Sequence, residues 1–352
     1  MRIMQVMAGA AVGGAEAAFE DLCLALSGHQ DVELCAVLRD NNDERLGKLA
    51  SAGIKIHTVP FGGIFDVYSS WKMKQLIRNF QPQIVQTWMS RASQKTPAAG
   101  KANSYLKFSR LGGYYSLKYY KTTDYFVANT PDILNYLVRE GIDECHARHI
   151  NNFTTAEQVT SPVNRSDLQT PKDAFVVLAL ARYHPVKALD ILIRAAEKIE
   201  NCHVWLAGMG PLEEDLKKLA ADLKIENRIH FLGWRSDRAA LLEAADVCAV
   251  PSRFEPFGNT FIQAWAQKTP LVSSKSEGPM QYIRDGEDAL MFDIDDVAGL
   301  TECLEKLRTN PDLGHKLVQA GFSRFEQEFS KEKTLKAYLD YYQFAIDSLR
   351  AT

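Results

Sequence analysis

Apolar positions in this chain fall into short solid runs, separated by longer stretches in which they recur at helical spacing. The first half carries runs at Ile3–Met7, Val32–Leu38, Ile54–Val59, Ile84–Thr87 and Tyr125–Ala128, which read as buried strands. Between them the pattern predicts helices over Ala15–Leu26, after the pair Gly13-Gly14, and over Asp43–Ala52, Val67–Phe80 and Pro131–Arg139, the last with proline in its first turn. From Thr154 to Lys172 the rhythm stops, and polar residues with Pro162 and Pro171 predict an interdomain linker. A second alternation follows. Its strands are Phe175–Ala181, Val204–Ala207, Ile229–Leu232, Val247–Val250, Leu271–Ser273 and Leu290–Phe292. Its helices are Ala188–Ile199, Leu212–Leu223, Asp295–Arg308, Asp312–Gln327 and Lys331–Leu349. Strands that alternate with helices imply parallel sheets covered on both faces. The expected class is α/β, with two Rossmann-like, doubly wound domains over residues 1–155 and 173–330, and a C-terminal helix in 331–352 returning towards the first. Such sheets bind ligands beyond the carboxyl ends of their strands, so a cleft between two of them suits two substrates.

Composition narrows the function classes. With 352 residues, 46% hydrophobic, 24% charged and a net charge of -3, the chain is an ordinary globular protein with no global affinity for nucleic acid. Its charge is unevenly spread: Val67 to Thr123 holds ten lysines and arginines and no carboxylate. The six cysteines form no CxxC pair and mostly sit in apolar runs, which fits reduced thiols in the cytoplasm. No signal-peptide pattern opens the chain, and no apolar stretch is long enough to span a bilayer.

Four segments carry chemistry. Pro251 to Gln263 joins a strand end to a helix that begins near Gly258. Phe261, Ile262 and Trp265 mark the buried side of that helix, and Asn259, Gln263 and Gln267 its polar side. The backbone N–H groups of Gly258, Asn259 and Thr260 at such a helix start make a seat for a diphosphate, and Glu255 on the loop before it can accept hydrogen bonds from sugar hydroxyls. Ala181 to Lys187 follows the first strand of the second half, and Arg182 and Lys187 can take the place of a metal ion against a diphosphate. Gly208-Met209-Gly210 opens like a dinucleotide fingerprint, but Glu213 occupies the third glycine position, which rules out a nicotinamide or flavin site and leaves a tight turn that a nucleotide can approach. Gly13-Gly14 after the first strand permits a similar close approach from the other half.

Together these segments resemble glycosyltransferase family four, of GT-B fold, over essentially the whole chain and most strongly from Phe175 to Phe292. The resemblance implies a nucleotide-sugar donor, no cofactor, no metal and retention of anomeric configuration. It implies that Arg182 and Lys187 bind the diphosphate and that Glu255 is the first acid of the family's paired-glutamate motif; these three residues carry catalysis. Phe257, Gly258, Asn259 and Thr260 match the stretch whose backbone meets sugar and phosphates, and Gly14 the glycine that approaches the donor from the first domain. Two departures stand out. The second acid of the pair is Gln263, which keeps hydrogen-bonding capacity but no charge. The stretch Arg110 to Tyr115 lacks the histidine that family members often place near the reacting sugar. Family frequency favours UDP, then GDP, and a hexose as the sugar. A sugar-nucleotide epimerase, a phosphorylase or a non-catalytic nucleotide-sugar-binding protein of the same plan stays open at this point.

Three further patterns bear on function. Asp293-Ile294-Asp295 has the form of a metal-binding DxD, but it opens a helix and Asp295 reads as the N-cap. Cys145, His146 and His149 lack a second ligand pair at matching spacing and read as structural. Lys101 to Lys121 interleaves five basic residues with tyrosines and a phenylalanine. That mixture suits an anionic, partly apolar acceptor such as a phosphorylated or lipid-linked glycan, with Lys107, Arg110, Tyr114 and Tyr115 as contacts, at an anionic membrane surface on the inner face of the plasma membrane. A solvated helix surface backed by core tyrosines is the competing reading.

Overall fold

A computed structural model describes residues 1–63, 65–100 and 104–351; Lys101, counted above in the basic stretch, lies outside them. The first half runs β1 (Arg2–Met7), α1 (Gly14–Ser27), β2 (Glu33–Leu38), α2 (Asp43–Ser51), β3 (Lys55–Thr58), α3 (Val67–Phe80), β4 (Ile84–Trp88), α4 (Met89–Lys95), β5 (Leu106–Leu111), β6 (Tyr125–Ala128), α5 (Pro131–Arg139) and β7 (Ala147–His149). The second half runs β8 (Phe175–Leu180), α6 (Leu189–Glu197), β9 (Cys202–Ala207), α7 (Glu213–Asp222), β10 (Ile229–Gly233), α8 (Arg238–Ala244), β11 (Val247–Val250), α9 (Asn259–Ala266), β12 (Leu271–Ser274), α10 (Pro279–Tyr282), β13 (Leu290–Phe292), α11 (Val297–Thr309), α12 (Pro311–Arg324) and α13 (Lys331–Ala351). The chain divides into two compact units, Met1–Phe153 with the segment from Lys331 onward, and Thr154–Ser330.

In the N-terminal unit seven parallel strands lie in the order β3-β2-β1-β4-β5-β6-β7. One face packs under α1 and α13, where Phe19, Trp88, Phe108, Tyr341 and Tyr342 are buried together. The other packs under α3, through Met73, Leu76, Ile77 and Phe80. The strand β5 escapes a reading of apolar runs because Lys107, Ser109 and Arg110 interrupt it, yet all six of its residues are buried. Most of its polar side-chain atoms are satisfied internally: Ser109 Oγ, for instance, lies 2.8 Å from both Thr87 Oγ1 and Thr123 Oγ1, while Arg110 Nε is left without a partner among the described residues. A central strand can carry such residues when nearly all of their polar atoms find partners.

In the C-terminal unit six parallel strands lie in the order β10-β9-β8-β11-β12-β13. The strand β8 is flanked by β9 on one side and β11 on the other, so the chain reverses direction across the sheet between β8 and β11. Beyond the carboxyl ends of those strands such a sheet leaves its ligand crevice.

The stretch Thr154–Lys172 is not a free linker. It lies against the C-terminal unit as a strap, because its polar side chains find buried partners there. Arg165 donates to the Ala244 carbonyl at 2.8 and 3.0 Å, to the Ala174 carbonyl at 2.9 Å and to Asp246 at 2.9 Å. Trp205 Nε1 donates to Thr170 Oγ1 at 2.9 Å, and that hydroxyl sits 3.4 Å from His230 Nε2. His230 in turn stacks on His203, with ring nitrogens 2.9 Å apart. Burial, then the neighbouring His203, pushes His230 down to about 4. The unfolded chain therefore takes up a proton near the ordinary histidine value of about 6.5, and the folded chain does not until about 4. Stability of the C-terminal unit is expected to be flat above pH 6.5 and to fall as pH drops through that window. Thermal melts of wild type and His230→Gln across the window check this: the variant should show the shallower loss.

Candidate active site

The cluster expected to carry chemistry assembles at the switch point of the C-terminal sheet. Leaving β8, the chain turns at Ala181–His184; leaving β11, it runs through Pro251–Gly258 into α9. The two loops are tied together. Arg253 N–H donates to the Val186 carbonyl at 2.8 Å, and Thr260 Oγ1 donates to the Leu180 carbonyl at 3.2 Å. The Arg253 guanidinium clamps Asp190 through two bonds of 3.0 and 2.8 Å, reaches Asp295 at 2.6 Å and donates to the Pro185 carbonyl at 2.7 Å. This linchpin was not singled out from sequence, since nothing in local spacing relates position 253 to 190 and 295.

Lys187 and Glu255, from the two loops, meet in an ion pair, both side chains mostly buried. Ser252 Oγ lies 3.4 Å from the same Glu255 oxygen. An ammonium has three donors, so Lys187 can keep Glu255 and still present N–H groups to a second anion. Arg182 stands at the end of β8 with an exposed side chain that makes no ion pair among the described residues. The structure thus brings Lys187 and Glu255 together, and places Arg182 on the same loop with its guanidinium open to solvent.

The seat of α9 is built from aromatic packing. Phe257, Phe261, Trp265, Tyr282 and Phe329 form one cluster with ring centroids 5.0 to 6.2 Å apart. The Phe257 side chain is therefore core, and its contribution to a site is its backbone. Gly258, at φ 99°, turns the chain into the helix. Asn259, Thr260 and Gln263 are half-buried, on the polar side of α9. The positive end of the helix macrodipole points out of this start. Gly278 was missed from sequence; a Cβ there would lie 2.6 Å from the Glu255 carbonyl oxygen and 2.5 Å from that of Phe257, so the loop after β12 packs backbone to backbone on the Glu255 loop.

Gly208 and Gly210 have a packing reason to be glycine. A Cβ on Gly208 would land on the Ala181 carbonyl oxygen, and one on Gly210 on that of Tyr183. The close approach is between the β9 and β8 loops themselves, sealed by Tyr183 N–H to Met209 O at 3.0 Å.

In the N-terminal unit, Gly13 and Gly14 form the turn from β1 into α1. There the buried Glu16 carboxylate accepts the Ala10 N–H at 2.7 Å and fills the space beside Gly13. The expected acceptor contacts fare unevenly. Lys107 is fully buried, donating to the Ser93 and Thr96 carbonyls at 2.7 and 3.0 Å and to Thr122 Oγ1 at 2.7 Å. Burial pushes its ammonium down to about 8, against the pull of Asp124. Arg110 is also buried, over the Trp88 ring at 4.8 Å and bonded to Asn152. Neither cation reaches solvent, so neither belongs to a surface for acceptor or lipid. Tyr114 is exposed and donates to Asp132, and Tyr115 is half-buried. Lys107→Ala should cost about 3 kcal/mol, since it strands buried carbonyls, and should leave acceptor KM unchanged in the folded fraction. Chemical denaturation and steady-state kinetics check the two halves of that statement.

The acids of the DxD-like stretch are engaged by cations: Asp293 by Lys275 at 2.8 Å and Asp295 by Arg253. Asp295 is not the N-cap. That place belongs to Asp296, which accepts the Gly299 N–H at 2.9 Å, because Asp295 sits in the left-handed region at φ 62°.

Comparison with known proteins agrees with this layout. The family described as "Glycosyl transferases group 1" matches residues 161–324. The lipopolysaccharide core biosynthesis glycosyltransferase LpsE of Rhizobium meliloti is 35% identical over 328 residues, covering 93% of this chain and 95% of that protein. LpsD of the same organism is 35% identical over 347 residues, covering 97% of each. Among solved structures, Anabaena HepE in complex with UDP and glucose superposes with a TM-score of 0.83 at 17% identity, over 97% of this chain and 98% of that one. The glycosyltransferase WaaG, involved in lipopolysaccharide biosynthesis, gives a TM-score of 0.71 at 14% identity, over 96% and 99%. The chain belongs to the group 1 glycosyltransferases and is a glycosyltransferase of GT-B fold.

Proposed function

We propose that this enzyme moves a hexose-type sugar from a nucleoside-diphosphate donor, UDP favoured, onto a glycan or lipid-linked glycan acceptor of the cell envelope, with retention of configuration and without a metal. The observation that carries the reading is the meeting of Lys187, Glu255 and the start of α9 at the sheet's switch point, with Arg182 on the adjoining loop. As the bond from sugar to phosphate breaks, negative charge grows on the leaving diphosphate. Fixed cations and a helix start aimed at that charge stabilise the transition state more than the ground state. Glu255 orients Lys187 and has its second oxygen to offer a donor-sugar hydroxyl. Gln263, half-buried on the polar side of α9, would hydrogen-bond the ribose without a charge. The resemblance assigns Gly13 and Gly14 to the donor, and Tyr114 and Tyr115 are the remaining acceptor candidates.

Similarity to LpsE and LpsD along nearly their whole length supports lipopolysaccharide core synthesis as the setting. The UDP complexes of HepE support UDP as the nucleotide. No helix among the described residues is long and apolar enough to cross a membrane, and we place the enzyme in the cytoplasm, at the inner face of the plasma membrane. A thermal-shift screen of UDP-, GDP- and ADP-sugars in EDTA, followed by NMR of the transferred anomer, tests the reading. A shift with a UDP-sugar and a retained anomer are expected. An absolute metal requirement or an inverted product would overturn it.

A further inference from the structure

The N-terminal unit carries a cluster of large apolar side chains that nothing among the described residues covers. Phe65 is 95% exposed, Val67 80%, Trp71 58% and Tyr68 51%. Burial of such groups is the ordinary outcome of folding, and a contiguous exposed set marks a surface that meets something else. The cluster is held in place from beneath. Arg39 donates to the Pro60 and Phe61 carbonyls at 3.1 and 2.6 Å, and Lys95 to the Asp66 carbonyl at 2.6 Å. The Asp66 carboxylate accepts the Gly62 and Ser69 N–H groups at 2.5 and 2.9 Å, capping α3. Phe65 projects outward next to this cap, and the start of α3 carries Val67, Tyr68 and Trp71, the last two with rings 5.8 Å apart.

The rest of α3 decides what this tip meets. Ser69, Met73, Leu76, Ile77 and Phe80 are its buried side. On the outer side, Val67, Trp71, Lys74 and Arg78 recur at helical spacing, with Lys72 alongside, so an apolar tip is followed by a basic flank. No carboxylate occurs from Val67 to Thr123. Aromatic residues of this kind settle at the level of lipid headgroups, and lysine and arginine beside them attract anionic lipid. A stable protein interface, by contrast, engages roughly 20–30 residues a side, far more than this tip offers.

We propose that the tip of Phe65, Val67, Tyr68 and Trp71, with the flank of Lys72, Lys74 and Arg78, docks the N-terminal unit on an anionic bilayer. This surface takes the place of the one expected around Lys107 and Arg110. It deepens the proposed action on a lipid-linked acceptor, but it can be tested without donor or acceptor, so the two can fail separately.

The test is co-sedimentation of the full chain with vesicles of phosphatidylcholine, with and without phosphatidylglycerol. Wild type should bind the anionic vesicles, and less so as salt rises. The variant Phe65→Ser, Tyr68→Ser, Trp71→Ser and the variant Lys72→Glu, Lys74→Glu, Arg78→Glu should each lose about tenfold or more in partitioning. All the altered side chains lie outside the core, and matching thermal midpoints will show that the fold is kept. In wild type, anionic vesicles should shift tryptophan emission to the blue, and Trp71→Phe should abolish that shift. Failure of wild type to bind anionic vesicles, or variants that bind like wild type, would overturn the proposal. So would a dimer, seen on gel filtration without lipid, that the serine variant dissociates.

Discussion

Lys187→Ala should lower kcat/KM by on the order of 10² or more, and Arg182→Ala by a comparable factor. The two losses have different structural histories. Lys187 is held by Glu255 before any donor arrives, so its removal both deletes a cation and leaves a mostly buried carboxylate beside the proposed diphosphate seat. Repulsion then adds to the lost attraction. Glu255→Gln in the Lys187→Ala background should therefore recover part of the donor affinity, a rescue that a merely structural pair would not give. Arg182 has no such partner among the described residues, so its loss should act on the donor alone and leave thermal stability unchanged. Steady-state kinetics with the preferred nucleotide sugar, beside thermal melts, separates these outcomes. Turnover near that of wild type in both single variants would remove these residues from the mechanism.

Gly208→Ala is expected to be as damaging, by another route. The added methyl would lie 2.8 Å from the Ala181 carbonyl carbon, and on its oxygen, in a backbone that cannot rotate aside as a side chain can. The β8 and β9 loops must part, and Arg182 moves with the first of them. We expect a cost above about 3 kcal/mol in stability, together with loss of donor binding in whatever remains folded. Gly47→Ala is the control: this glycine lies in α2 with nothing within 4 Å of its missing Cβ, and alanine there should stabilise by up to about 1 kcal/mol. Denaturant titration of the two variants measures both effects.

Much of this layout was legible in residue pattern, and what was not has physical causes. Solid apolar runs betray strands covered on both faces, so β1, β8 and β11 could be placed. The interruption at Lys107 and Arg110 hid β5, because a buried lysine with three acceptors looks, in sequence, like a surface lysine. Composition made Thr154–Lys172 look like linker, although Arg165 and Thr170 are bonded into the C-terminal unit. Gly208 and Gly210 read in sequence as a turn that a nucleotide can approach; the structure adds that the neighbouring β8 loop already lies against both. Arg253, which fastens both loops of the site, acts through residues 63 and 42 positions away, beyond the reach of any local motif.

In the proposed reaction Arg182, Lys187 and the start of α9 serve a pyrophosphate. Titration calorimetry of UDP against UMP, in EDTA, isolates that group, because the two ligands differ by one phosphate. Wild type should favour UDP strongly, and Arg182→Met with Lys187→Met should bring the two affinities close together, with UMP binding little changed. An undiminished preference for UDP in the double variant would contradict the account.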